Sequence, residues 1–175
     1  MEVFTRLDTR RLADIPALAR RAEALGFDGI SFPELTLDPF LAATVAAEHT
    51  TRATVSTSIA VAFPRSPAVT AYMSWAIQDL AGGRFQLGLG SQVKGHNERR
   101  FSTPWVPPGP RMREYVLALR ALWACWQEGR KLDFRGQHYT FTLMTPEFSP
   151  SPIAHPHIPV AIAAVNPYMQ RLAGE

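Results

Sequence analysis

Short apolar runs alternate along this chain with longer segments whose apolar residues recur at helical spacing, and that alternation limits what it can fold into. MEVFTRL (Met1 to Leu7) has the pattern of a short strand. LADIPALARRAEALG follows, with Leu12, Ile15, Leu18, Ala22 and Leu25 on one helical stripe, Pro16 in the first turn and Gly26 as the stop. A second strand, FDGISFPE (Phe27 to Glu34), leads to a second helix at DPFLAATVAAEHT (Asp38 to Thr50). There Asp38 is the cap and Pro39 the first helical residue. ATVSTSIAVAF (Ala53 to Phe63) is β-branched and apolar along much of its length, as suits a strand buried on both faces. Ser66 and Pro67 open a third helix that Gly82 and Gly83 close, and RFQLGLG is the fourth strand.

After a polar, proline-rich loop, PRMREYVLALRALWACWQEG places Met112, Tyr115, Val116, Leu119, Leu122, Trp123 and Trp126 on one helical face. KLDFRG and HYTFTLM, hinged at Gly136-Gln137, predict a hairpin inserted before the fifth strand, IPVAIAAV (Ile158 to Val165). NPYMQRLAGE begins a fifth helix. Strands alternating with helices imply right-handed crossovers and a parallel sheet. A chain of 175 residues makes one domain. Two architectures qualify, an open doubly wound sheet or a (β/α)8 barrel.

Charge and cysteine usage narrow the partners. The formal net charge is +3, and no Lys/Arg run interleaves with aromatics, which argues against nucleic acid and leaves an anionic small molecule compatible. The single cysteine, Cys125, excludes an internal disulfide framework and suits a reducing cytoplasm. Flanked by Trp123 and Trp126, it reads as a buried apolar thiol. No apolar leader opens the chain, and no run approaches the roughly 20 apolar residues that span a bilayer. His155 and His157 stand among Pro152, Pro156 and Pro159 with no third ligand nearby, the mark of an extended connection and not of a metal site.

The segment GGRFQLGLGSQVKGHNERRF, Gly82 to Phe101, looks at first like a nucleotide loop. It lacks the third glycine of a dinucleotide fingerprint, lies on the fourth strand, and is not followed at once by a predicted helix. A phosphate loop fails as well, because Lys94 lies between Val93 and Gly95. Phe85, Leu87 and Leu89 alternate instead with Gln86, Gly88 and Gly90, so one face of the strand is large and the other bare. Bare strand positions mark crowding by another backbone or the close approach of a ligand. Periodicity leaves both open.

Four segments in order, ALARRAEALGFDGISFPE, SIAVAFPRSPAVTA, AGGRFQLGLGSQ and IAAVNPYMQRLAGE, resemble the luciferase-like monooxygenase superfamily. The similarity is greatest to its branch of oxidoreductases that use the deazaflavin coenzyme F420, and it covers essentially the whole chain. The resemblance implies a (β/α)8 TIM barrel with the cofactor at the C-terminal ends of the strands. It also implies a non-prolyl cis peptide, matched here to Ser58-Ile59, as the platform for the F420 or FMN ring. Glu34 matches the family's acid after the second strand, while Leu35 stands where many relatives carry a histidine. In the loop after the fourth strand, Ser91, Gln92, His96 and Asn97 are offered to the cofactor. Asn97 is the best match, and His96 is a candidate proton donor beside Glu34. Ala164, Val165 and Asn166 match the turn that cradles the cofactor phosphate, where free amides at a helix N-terminus favour an anion.

The resemblance thus predicts hydride transfer between F420 and a small organic substrate. FMN-dependent monooxygenation is the alternative, and a non-catalytic module binding a flavin-like anion or a partner chain is a third reading. Residues 1–175 supply about five β/α units of the eight, an incomplete barrel. Exposed sheet edges then predict a homo-oligomer or a completing chain.

Overall fold

A computed structural model describes residues 1–175, and its main strands lie side by side in the order in which the chain makes them. β1 (Phe4–Arg6) pairs with β2 (Gly29–Phe32), and β2 with β3 (Thr54–Thr57), both in parallel. β4 (Ala60–Val61) follows β3 after a short break, and both pair in parallel with β5 (Phe85–Gly90). β6 (Phe134–Arg135) and β7 (Thr140–Phe141) form a separate antiparallel hairpin. β8 (Val160–Ile162) then returns to lie parallel beside β5. A doubly wound sheet reverses its strand order at a switch point. No reversal occurs here, so the winding is that of a barrel wall. β1 and β8 are its two edges, each paired on one side only.

Register explains which residues meet the helices. Ile30, Val55 and Phe85 stand in one row across the sheet and are all buried within the hydrophobic core. The adjacent row is Ser31, Ser56 and Gln86, small or polar, on the opposite face. Helices cover the first face: α1 (Ile15–Ala24), α2 (Pro39–Glu48) and α3 (Pro67–Leu80). After a short α4 (Lys94–Arg99), α5 (Pro108–Glu128) packs on α3, and α6 (Pro167–Ala173) follows β8. The whole expected face of α5, Met112 to Trp126, is buried. Burial of each large aliphatic or aromatic side chain of this kind contributes about 1.5–3 kcal/mol. Helix starts follow their caps: Asp38 accepts from the amides of Phe40 and Leu41 at 2.8 and 3.3 Å, and Ser66 from that of Ala68 at 3.3 Å. Gly26 closes α1 with a positive φ of 89°.

Several expectations change in detail. The buried stripe of α1 is Ile15, Ala19 and Ala22, while Leu18 and Leu25 are exposed. α1 belongs to an edge unit and meets a neighbouring helix, α2, on one flank, and small residues let it sit close. The strand expected over 53–63 is broken in two by a cis peptide at Ser58-Ile59. The fifth strand is regular only over Val160–Ile162, where β5 offers it a partner. α4 replaces part of the expected loop and starts at Lys94, with three residues between it and Gly90, so a helix does follow the glycines. It has only six residues and no side-chain cap. The hairpin forms as expected, with Phe134 opposite Phe141. Glu114 of α5 holds it by accepting from the amides of Gln137, His138 and Tyr139 at 2.9, 2.7 and 2.6 Å.

Candidate functional site

A pocket of about 290 Å³ opens where β4, β5 and β8 end, lined by Ile59, Gly90, Ser91, Gln92, Val93, Ala163 and Val165. Larger grooves run beside α5 near Trp123 and His157 (about 580 Å³) and between α2 and α3 (about 480 Å³). Neither lies at the C-terminal ends of the strands, where parallel β/α folds bind ligands. Small-molecule pockets span roughly 300–1,000 Å³. This one has room for a ring system and not for a whole dinucleotide-sized cofactor.

The bare face of β5 is explained by what it touches. A Cβ on Gly88 would run into the carbonyl oxygen of Thr57, a backbone atom. Thr57 Oγ1 also donates to the Gly88 carbonyl at 2.7 Å and accepts the Gly88 amide at 2.9 Å, binding the two strands at the point where β3 ends. A Cβ on Gly90 would lie 2.6 Å from Ile59 Cδ1. Gly90 and Ile59 therefore touch to form an apolar floor. Beyond them the chain turns at Gln92, whose φ is 56°.

Asn97 holds that turn from below. It is fully buried, and its Nδ2 donates to the carbonyls of Ser91 at 2.9 Å and Val93 at 3.1 Å, both pocket residues. Its Oδ1 is buried with no donor. Such an acceptor is costly to leave unmatched. His96, its neighbour, is exposed on α4 and does not line the pocket.

Glu34 stands behind the floor. Its Oε2 accepts the Val61 amide at 2.7 Å, and Arg65 Nη1 donates to both carboxylate oxygens, at 3.1 and 2.8 Å. Arg65 Nη2 pairs with Asp38 at 2.6 Å. Burial alone would lower the guanidinium's pKa, but the hydrogen bonds and charges of Glu34 and Asp38 outweigh it and raise the value. The acid expected at a catalytic position is thus occupied by an internal ion pair. Sequence reasoning missed Arg65, although it is the one charged residue between Arg52 and Asp79. Leu35 is half exposed, and its carbonyl accepts from Arg100 at 3.0 Å.

The remaining expected residues fall around the pocket. Ser58 is exposed on its flank, with its amide donating to Phe32 at 2.7 Å. Ile59, Ser91 and Val165 line the pocket itself, and Val165 is 92% exposed. Ala164 packs against the core. Asn166 caps α6, its side chain accepting the Met169 amide at 2.9 Å. Gly90, Gln92, Val93 and Ala163 complete the lining, and of these Val93 carries no chemistry that would single it out in a sequence.

Comparison with known proteins agrees with this fold. An uncharacterised protein of Mycobacterium tuberculosis is 49% identical over 164 residues, which is 90% of this chain and 48% of the relative. The coenzyme F420-dependent tetrahydromethanopterin reductase of Methanopyrus kandleri superposes with a TM-score of 0.78 at 19% identity, covering 100% of this chain and 53% of that one. The FMN-bound oxygenating constituent of 3,6-diketocamphane monooxygenase from Pseudomonas putida gives 0.79 at 16% identity, with coverage of 100% and 55%. The chain spans about half the length of these relatives, and its sheet is the corresponding part of their barrel. The family model for luciferase-like monooxygenases matches residues 2–175, so this chain belongs to the luciferase-like monooxygenase family.

Proposed function

We propose that this chain is the cofactor-binding part of an oxidoreductase that transfers a hydride between coenzyme F420 and a small organic substrate. The observation that carries the reading is the apolar floor of Ile59 against Gly90, set at the strand ends beside the turn that Asn97 holds. The pocket's volume suits the ring, and the walls fit it: Ile59 and Gly90 beneath, Ser91 to Val93 on one side, Ala163 and Val165 on the other. The bound ring would supply the redox chemistry, and the protein would orient it and exclude water from one face.

Ile59 sets the plane on which a ring lies. Asn97 holds Ser91 and Val93 in place through its amide and so bears on a bound ring through those two pocket residues. Ala164 to Asn166, at the start of α6, is the proposed phosphate turn, with Ser58 at the edge of the platform. His96, exposed on α4 beyond the rim, is the proposed proton donor of that loop. FMN with molecular oxygen is the second reading, since an FMN-containing monooxygenase shares this fold. A chain that binds a ring without turning over substrate is the third.

No helix is long and apolar enough to cross a membrane. A cytoplasmic location accords with that and with Cys125, whose thiol is buried and pushed up by burial. The test is a fluorescence titration of the purified chain with F420 and, separately, with FMN. Saturable binding of F420 alone supports the deazaflavin reading. Binding of FMN alone moves the proposal to the monooxygenase, and binding of neither overturns both.

A further inference from the structure

Glu34 grips one short stretch of backbone at both ends. Its amide donates to the carbonyl of Ile59 at 3.3 Å, and its carboxylate accepts the amide of Val61 at 2.7 Å. The side chain of Ile59, just ahead of that grip, floors the pocket. Arg65 closes the arrangement by donating to the Val61 carbonyl at 3.0 Å as well as to both oxygens of Glu34. The side chains of Glu34 and Arg65 are 8% and 16% exposed, so water does not readily replace a lost partner. Asp38 is the other carboxylate on the guanidinium, whose Cζ sits over the Phe40 ring, 5.5 Å from its centroid. A carboxylate held in this way by a guanidinium and an amide is committed to geometry and not to proton transfer.

We infer that Glu34 and Arg65 are positioning residues for the ring site, fixing where Ile59 stands without touching the ring. The inference rests on the proposed function. It differs from a purely stabilising role in one respect: loosening the clamp changes ring affinity while the rest of the fold stays intact.

The full chain is compared as wild type, E34Q, R65K and I15V. E34Q keeps the native shape but removes the charge that Arg65 pairs with. R65K keeps the charge, but one ammonium cannot reach Glu34, Asp38 and the Val61 carbonyl together. I15V trims a fully buried side chain of α1, which costs stability away from the pocket. Two quantities are measured at a temperature where each protein is folded: amide hydrogen exchange over residues 58–63 without ligand, and affinity for F420 and for FMN by fluorescence. The expected result is faster exchange over 58–63 and about tenfold weaker ring binding in E34Q and R65K. I15V is expected to keep wild-type affinity. Wild-type binding with unchanged affinity in E34Q and R65K overturns the positioning role and leaves the ring reading standing, as does an equal loss in I15V. A wild type that binds neither ring brings down the ring reading itself, and the positioning role with it.

Discussion

A methyl group added to Gly88 has nowhere to go, because the atom it meets is the carbonyl oxygen of Thr57 and not a side chain that can turn aside. Gly88→Ala is therefore expected to lower the free energy of unfolding by about 1–3 kcal/mol, read from the midpoint of urea unfolding. Gly90→Ala presses instead on the flexible end of Ile59, with Cδ1 at 2.6 Å. Its expected cost in stability is smaller, but it drives Ile59 toward the pocket, so ring affinity measured by titration should fall more than in Gly88→Ala. The sequence showed that one face of this strand was bare and left two causes open. The first applies at Gly88, which yields to a neighbouring backbone, whereas Gly90 yields to a side chain, that of Ile59, which neither cause named. The partnership of Glu34 with Arg65 was harder to read, since 31 positions separate them and no local pattern joins them.

At the level of elements, two carboxylates fasten segments that regular hydrogen bonding leaves loose. Glu114 takes three consecutive amides of the β6–β7 hairpin. Glu114→Ala should release residues 137–139 to rapid amide exchange while α5 keeps its protection, at a cost of about 1–3 kcal/mol. Glu23 ties α1 to the loop before β3 by accepting from the amides of Thr51, Arg52 and Ala53. Burial would raise its pKa, but those amides outweigh it and hold the carboxyl below its ordinary 4.5. A value depressed in the folded state means the contribution is present above 4.5 and is lost as pH falls through the folded value. Wild type should therefore exceed Glu23→Gln in melting temperature at neutral pH, with the gap closing in acid; a gap independent of pH would refute the assignment. Caps and long amphipathic stretches made most helices legible, Asp38, Ser66 and the face of α5 among them. α4 escaped because six residues with a glycine second carry no apolar period, and it is the Asn97 amide that fixes the turn leading into it.

For the whole molecule, alternation of strands and helices could not choose between a doubly wound sheet and a barrel wall, because the choice depends on which strands become neighbours in space. The observed order settles it, and it leaves the outer sides of β1 and β8 unpaired. Open edges of a parallel sheet recruit further strands. The purified chain is accordingly expected to sediment at micromolar concentration as a species larger than the monomer, or to do so once a completing polypeptide is added. A monodisperse monomer that ignores such a partner would count against association through these edges.

Winding in chain order also bears on how the protein comes into being. Each main strand docks on the one made just before it, β2 on β1, β3 on β2, β5 on β3 and β8 on β5. β4 gains its partner as soon as β5 follows, and only the step from β5 to β8 spans a long stretch, that of α4, α5 and the hairpin, so the closure that slows many sheet proteins is spread over consecutive steps. Each finished unit is a template for the next while the nascent polypeptide is still leaving the ribosome, and translation itself can set the sequence of folding events.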